Sequence, residues 1–256
     1  MHKRIAVAIG VAAGFLVSLA LPAHADRRAY GVTYEAVTAP QGELDVETWS
    51  TYTPDGEVDG SAASRGVREM IELEYGITDR WDAALYNMLD IVSGDTASGY
   101  AGFKIETRYR PTQRGEWFVD PVFYVEFQQL FRGDAKQTLE GKLILAKDVG
   151  NVNAAVNVSI EEERLTDKTW NTELEYAAGV SYAFSPAWIL GAETFGKAEK
   201  DMDEMENRLW VGPALSWAGG GTGSLRGIWV TLAGGAGLSS GADAYYARLI
   251  VGLQFH

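Results

Sequence analysis

From Gln41 onward, apolar and polar residues alternate with a period of two in runs that each close on a turn. In the clearest run, Phe103, Ile105, Thr107 and Tyr109 take one face while Lys104, Glu106, Arg108 and Arg110 take the other. A helix would spread those four charges around its circumference, so the pattern predicts a strand. Val152, Ala154, Val156, Val158 and Ile160 likewise oppose Asn153, Ala155, Asn157 and Ser159. Twelve runs read this way: 42–53, 66–77, 81–92, 99–110, 117–129, 136–147, 151–163, 170–184, 187–198, 206–217, 227–237 and 244–255. Pro121 and Pro213 each remove a ladder donor within a run and predict a bulge or a shifted boundary.

The length of the runs narrows the fold class. A tilted strand needs roughly 9–11 residues to cross the hydrocarbon layer, whereas strands of soluble proteins average about half that. A soluble β-sandwich or lipocalin-like barrel would also alternate, but would turn its apolar face inward. The expectation is all-β: a transmembrane antiparallel β-barrel of about 12 strands, residues 41–256.

The turns fall into two alternating sets. One is tight and flanked by aromatics: Tyr75 and Trp81, Tyr109 and Trp117, Phe184 and Trp188, Trp217 and Trp229. The other is acidic, rich in Gly and Ser and variable in length, at 54–65, 93–98, 132–135, 164–169, 199–205 and 238–243. Aromatic rings favour the membrane–water interface, so the first set predicts the periplasmic rim and the second the extracellular loops. A final strand that closes on Phe255 is similar to the carboxy-terminal signal of outer-membrane barrels, which implies the barrel-assembly machinery as a partner during insertion. His256 departs from the usual aromatic last residue.

The N-terminus reads as an export signal over residues 1–25. Lys3 and Arg4 precede an uncharged run from Ile5 to Leu21, and Ala23-His24-Ala25 offers a small-x-small cleavage site. Residues 26–40 carry an alternating Tyr30, Val32 and Tyr34, and predict a plug or an extra strand. Removing the signal takes Lys+Arg from 22 to 20 and leaves Asp+Glu at 35, a net charge of −15. Such a chain has no claim on nucleic acid. No cysteine is present to form a disulfide.

Histidine excludes most hydrolytic chemistry. His2 and His24 fall in the signal, which leaves only His256 to serve a Ser-His-Asp arrangement or a zinc site. No catalytic residue, metal ligand or cofactor site is expected. The Gly219–Gly223 stretch lacks a following Lys-Ser/Thr and reads as a linker in a turn, not a phosphate loop. The loop acids at 199–204 lack the spacing of a calcium loop and read as a solvated loop, with divalent ions bridging to lipopolysaccharide as the alternative.

Carboxylates two apart share a strand face: Glu72 and Glu74, Glu161 and Glu163, Glu173 and Glu175. On a lumen wall they would either engage cations or pair with Lys104, Arg108, Arg110, Lys142, Arg208 and Arg248 in a charged network. Lys104, Glu106, Arg108, Glu140, Lys142, Glu173, Glu175 and Arg248 are the candidate lumen-lining residues.

Two stretches resemble a known family. Ala39-Pro40-Gln41-Gly42-Glu43-Leu44-Asp45-Val46-Glu47-Thr48-Trp49 looks like the first strand of outer-membrane transporters grouped with phenol-degradation-pathway (MetA-type) proteins. Glu72-Leu73-Glu74-Tyr75-Gly76-Ile77-Thr78-Asp79-Arg80-Trp81 resembles their strand–turn–strand motif. The resemblance implies a barrel with a transport role and supplies no catalytic residues. Two functions stay open. One is a channel for small solutes, apolar or cationic, made cation-preferring by its acidic excess. The other is a closed structural or binding barrel whose acidic loops contact lipopolysaccharide or a partner. Bulky Tyr124, Trp210 and Tyr246 favour closure; polar Asn153, Asn157 and Ser159 favour a wet path.

Overall fold

The computed structural model describes residues 27–54, 57–58, 61–62, 66–92, 98–132, 135–201 and 204–256. The predicted export signal lies outside them. The strands are β1 (Leu44–Thr53), β2 (Glu57–Val58), β3 (Ser61–Ala62), β4 (Gly66–Thr78), β5 (Trp81–Val92), β6 (Gly99–Tyr109), β7 (Asp120–Leu130), β8 (Ala135–Val149), β9 (Val152–Leu165), β10 (Trp170–Ala183), β11 (Trp188–Asp201), β12 (Glu204–Gly220), β13 (Leu225–Gly237) and β14 (Tyr245–Phe255). Strands β4 to β14 pair antiparallel in sequence order, and β1 pairs with both β4 and β14, so twelve strands close into a barrel. The β2–β3 ribbon is a separate hairpin within the first long loop.

The alternation places polar residues inside. On β9, Val156, Val158 and Ile160 are about half exposed, while Asn153, Asn157, Ser159 and Glu161 are buried. Leu73, Ile105, Val125, Leu139, Leu174, Val180 and Leu232 continue the exposed apolar band around the outer face. A soluble barrel would hide such a surface. A hydrocarbon layer covers it and leaves no sheet edge unpaired, because the barrel is closed.

Both rims carry aromatics. Tyr75, Trp81, Tyr109, Trp117 and Phe184 are exposed at the tight-turn rim, as anticipated. A second group, Tyr52, Tyr100, Phe131, Trp170 and Tyr245, is exposed at the long-loop rim, with Tyr52–Tyr245 and Tyr100–Phe131 ring centroids 6.2 and 5.8 Å apart. The turn-based reading missed this second girdle because these rings stand beside long loops. Trp229 corrects the first group: it is fully buried and faces inward.

Pro121 comes with a shifted boundary, as anticipated, since β7 begins at Asp120 and not at 117, whereas Pro213 produces no bulge. Pro121 is the second residue of β7, before the β6–β7 ladder starts at Tyr109–Phe123, so no β6 carbonyl lacks its donor there. Pro213 sits mid-strand. It pairs with Ala192 on β11, and the β12–β13 register keeps its phase while skipping Gly212 and Pro213. The Gly-rich link at 218–227 shrinks to a turn at 221–224, because both strands continue into it.

The two motif stretches meet in space. Strand β1 pairs with β4 from Leu44–Tyr75 to Thr53–Gly66. Before β1, the Gly42 amide donates to the Gly76 carbonyl (2.8 Å), and the Gly76 amide donates to the Glu43 carbonyl (3.0 Å). A Cβ on Gly76 would overlap the Pro40 carbonyl, so the clasp requires glycine there. The Asp79 carboxylate accepts from the Gln41 amide (3.1 Å), while Thr78 Oγ1 accepts from the Arg80 amide (3.2 Å). The side chain bonded to the turn's own backbone is therefore Thr78, while Asp79 ties the turn to the residues before β1.

Candidate functional site

Residues 27–43 form no strand, and 27–39 run inside the barrel. Their partners sit on inward faces all around the closed ring, which only an interior segment reaches. Thr231 Oγ1 on β13 donates to the Arg28 carbonyl (2.6 Å), and Arg248 Nη1 on β14 donates to the Gly31 carbonyl (2.9 Å). Across the lumen, the Tyr30 hydroxyl donates to Asn153 Oδ1 (2.9 Å) on β9. Asn157 brackets Tyr34: its Oδ1 accepts from the Tyr34 amide (2.6 Å) and its Nδ2 donates to the Tyr34 carbonyl (2.9 Å). Near the tight-turn rim, the Ala39 amide donates to Asp82 Oδ2 (2.9 Å) on β5. Asn153 and Asn157 thus hold the segment, where a wet path was anticipated.

Glu193 on β11 is the principal anchor. Its carboxylate accepts from the Gly31 amide (2.8 Å), the Val32 amide (3.0 and 3.3 Å) and the Thr33 amide (2.8 Å). Three consecutive amides converging on one anion form a backbone nest, and each bond is charge-assisted. Gly179 and Gly191 make room for the neighbouring Tyr30 ring; a Cβ at Gly179 would lie 2.5 Å from Tyr30 Cε1.

The segment separates two cavities. One lies toward the long loops and is bordered by Gln128, Glu161, Glu175 and Lys197. The other lies toward the tight turns and is bordered by Asp45, Glu47, Glu74 and Arg108. Tyr34 borders both. Its ring has the Arg28 guanidinium 4.6 Å from its centroid and the Lys142 ammonium 4.7 Å away, with Tyr124 edge-on at 5.4 Å. Burial, reinforced by the Glu106 charge, pushes the Tyr34 hydroxyl up to about 12. The ring therefore stays neutral between its two cations.

All eight candidate residues face inward, and the strand register orders them in rows. Glu106, Glu126, Glu140, Glu161 and Glu173 lie directly opposite one another across β6 to β10. The next row toward the tight turns runs Arg108, Tyr124, Lys142, Ser159, Glu175 and Lys197 across β6 to β11. Like charges facing across strands are destabilising. The cations offset this by reaching between rows: Lys142 to Glu140 (2.9 Å), and Lys197 to Glu173 (3.0 Å) and Glu175 (2.8 Å). Lys104 meets Glu126 at 3.0 Å. Arg108 takes Asp82 with Nε and Nη2 (3.0 and 2.8 Å), meets Glu106 at 3.4 Å, and also binds Glu74. Arg248 leaves this network and holds Thr51 Oγ1 (2.8 Å) and the segment.

Sequence reading did not select Glu126, Lys197, Glu193 or Arg28. Glu126 follows the same alternation as Tyr124 and Gln128 and was legible from that phase. Glu193 and Lys197 lie on β11, where Gly191 and Gly196 blur the pattern. Arg28 precedes any periodic run. It reaches Glu47 at 3.3 Å and stacks on Trp49 at 4.4 Å. The acids at 201–204 have no described side-chain placement, and the described residues contain no group of acids and histidines positioned for a metal ion.

Comparison with solved structures agrees with this geometry. An outer membrane channel from Pseudomonas putida F1 superposes with a TM-score of 0.60 at 11% identity, covering 86% of this chain and 98% of that one. The NanC porin gives 0.54 at 11% identity, covering 83% and 99%, and the KdgM porin 0.53 at 11%, covering 83% and 98%. The fold is that of an outer-membrane barrel. No protein-family model and no curated protein matches the sequence.

Proposed function

We propose that this protein is an outer-membrane channel for small solutes, closed in the present conformation by residues 27–39 and cation-preferring when that segment leaves. The observation that carries the reading is the pair of charged cavities divided by one irregular segment. A barrel built only as a structural wall has no use for a row of five facing glutamates, since each facing pair costs stability. Rings of carboxylates favour cation passage. The resemblance of 39–49 and 72–81 to phenol-degradation-pathway transporters, and the fold shared with porins, support a transport role and the absence of catalysis. Lipid surrounds the apolar band; lipopolysaccharide at the acidic loops and the barrel-assembly machinery are partners on this reading.

Single-channel current in a planar bilayer with asymmetric KCl tests it. The intact protein should be silent or open rarely, and a variant lacking 27–38 should give steady steps with a cation-selective reversal potential. Reversing Glu140 and Glu173 to lysine in that variant should move the reversal potential toward anions. Silence from a folded deletion variant would refute the channel and favour the closed binding barrel.

A further inference from the structure

The long-loop cavity holds a set of polar groups whose bonding is incomplete. Glu161, Ser159 and Gln128 border it, are 6%, 2% and 3% exposed, and their side chains make no hydrogen bond or close ion pair among the described residues. Their neighbours in the rows have close cations: Glu126, Glu140, Glu173 and Glu175 are each within 3.0 Å of a lysine ammonium. Glu161 stands between Glu140 and Glu173 in register, and Lys197, whose charge acts on it, is already shared by two other carboxylates. A buried carboxylate without a bonded partner is costly, and its natural complement is a cation that brings its own donors.

The rest of the wall narrows the class. The Tyr34 and Tyr124 rings already accept an ammonium, since Lys142 Nζ lies 4.7 and 4.4 Å from their centroids. Val32, Ala177 and Phe195 give the same cavity an apolar side. The described acids are not gathered as metal ligands. We infer that the long-loop cavity binds a small primary alkylammonium, with Glu161 as the anionic anchor, Ser159 and Gln128 as further acceptors, and the apolar side taking the alkyl chain. A primary ammonium carries three donors for these three acceptors. The inference rests on the channel reading only in placing this cavity on the solute path.

The probe is n-butylammonium chloride, titrated calorimetrically into the full-length refolded protein in detergent at low ionic strength, with 1-butanol as its neutral twin. Saturable one-site binding is expected for the ammonium and none for the alcohol. Glu161→Gln should weaken it at least tenfold, Glu161→Asp should retain most of it, and Ser159→Ala should weaken it less. Equal binding by Glu161→Gln, equal binding of the alcohol, or no saturable heat from folded protein would overturn the inference. Binding requires no current, so the two ideas fail separately. Currents without butylammonium binding would remove the site and keep the channel; binding without currents would do the reverse.

Discussion

Replacing Glu193 with alanine removes the carboxylate on which the Gly31, Val32 and Thr33 amides converge. Hydrogen bonds to a charged acceptor are each worth about 1.5–3 kcal/mol, and three amides would be left without it. They are not additive, and part of the loss returns as water enters, so the net weakening of segment docking is about 3–6 kcal/mol. That corresponds to roughly a 10²- to 10⁴-fold drop in the ratio of docked to released segment. The remaining anchors, at Asn153, Asn157, Thr231, Arg248 and Asp82, keep the segment docked most of the time. The chain has no cysteine, so a single Ala36→Cys gives a unique reporter at a position only 2% exposed. Its thiol reacts with a maleimide when the segment leaves. Adding Glu193→Ala should raise the labelling rate by the same factor, and brief conductance steps should appear in bilayers. A labelling rate within about threefold of the parent, from a protein that still migrates as a folded barrel, would refute the nest as the anchor.

Other outcomes follow from the same contacts. Gly76→Ala drives a methyl into the Pro40 and Ala39 backbone, a clash the β4 turn relieves only by moving, and should cost about 1–3 kcal/mol; an unchanged urea midpoint in vesicles would contradict the clasp. Burial raises the Glu35 carboxyl above its ordinary value, against a weaker downward pull from the Ala29 amide at 2.8 Å. The docked state therefore holds this proton more tightly than the released state. Docking carries no penalty from Glu35 below the ordinary carboxylate value and a full one once pH passes the raised value. Labelling of Ala36→Cys should accelerate as pH rises through that window, and Glu35→Gln should flatten the dependence; the same slope in both proteins would assign it to other lumen groups.

How much of this was legible in the chain follows from what period-2 alternation encodes. Each strand boundary is a local matter of where alternation stops at a turn, and the twelve predicted runs match the barrel strands to within a few residues at each end. Facing is local too: Lys104, Glu106, Glu140 and Glu173 point inward because their neighbours are apolar. Which face of the pattern meets lipid came from strand length and the aromatic rim, and the exposed Ile105, Val158 and Leu232 agree with it.

Register lay outside that reading. No single strand reveals that Glu106, Glu126, Glu140, Glu161 and Glu173 fall in one row, because a two-residue slip between any pair would preserve every inward face and scatter the row. The course of residues 27–43 was equally hidden. Its bonds to Glu193, Asn157 and Thr231 span 160, 123 and 203 positions, and its backbone, having no ladder of its own, takes its shape from whichever wall groups meet its amides. The sequence by itself determined a polar-lined, lipid-facing barrel of the right strand count, since local patterning and chain length suffice for that. Only the register between strands and the closed ring decided which charges meet and what fills the space between them, because neither register nor a long-range contact leaves a trace in local alternation.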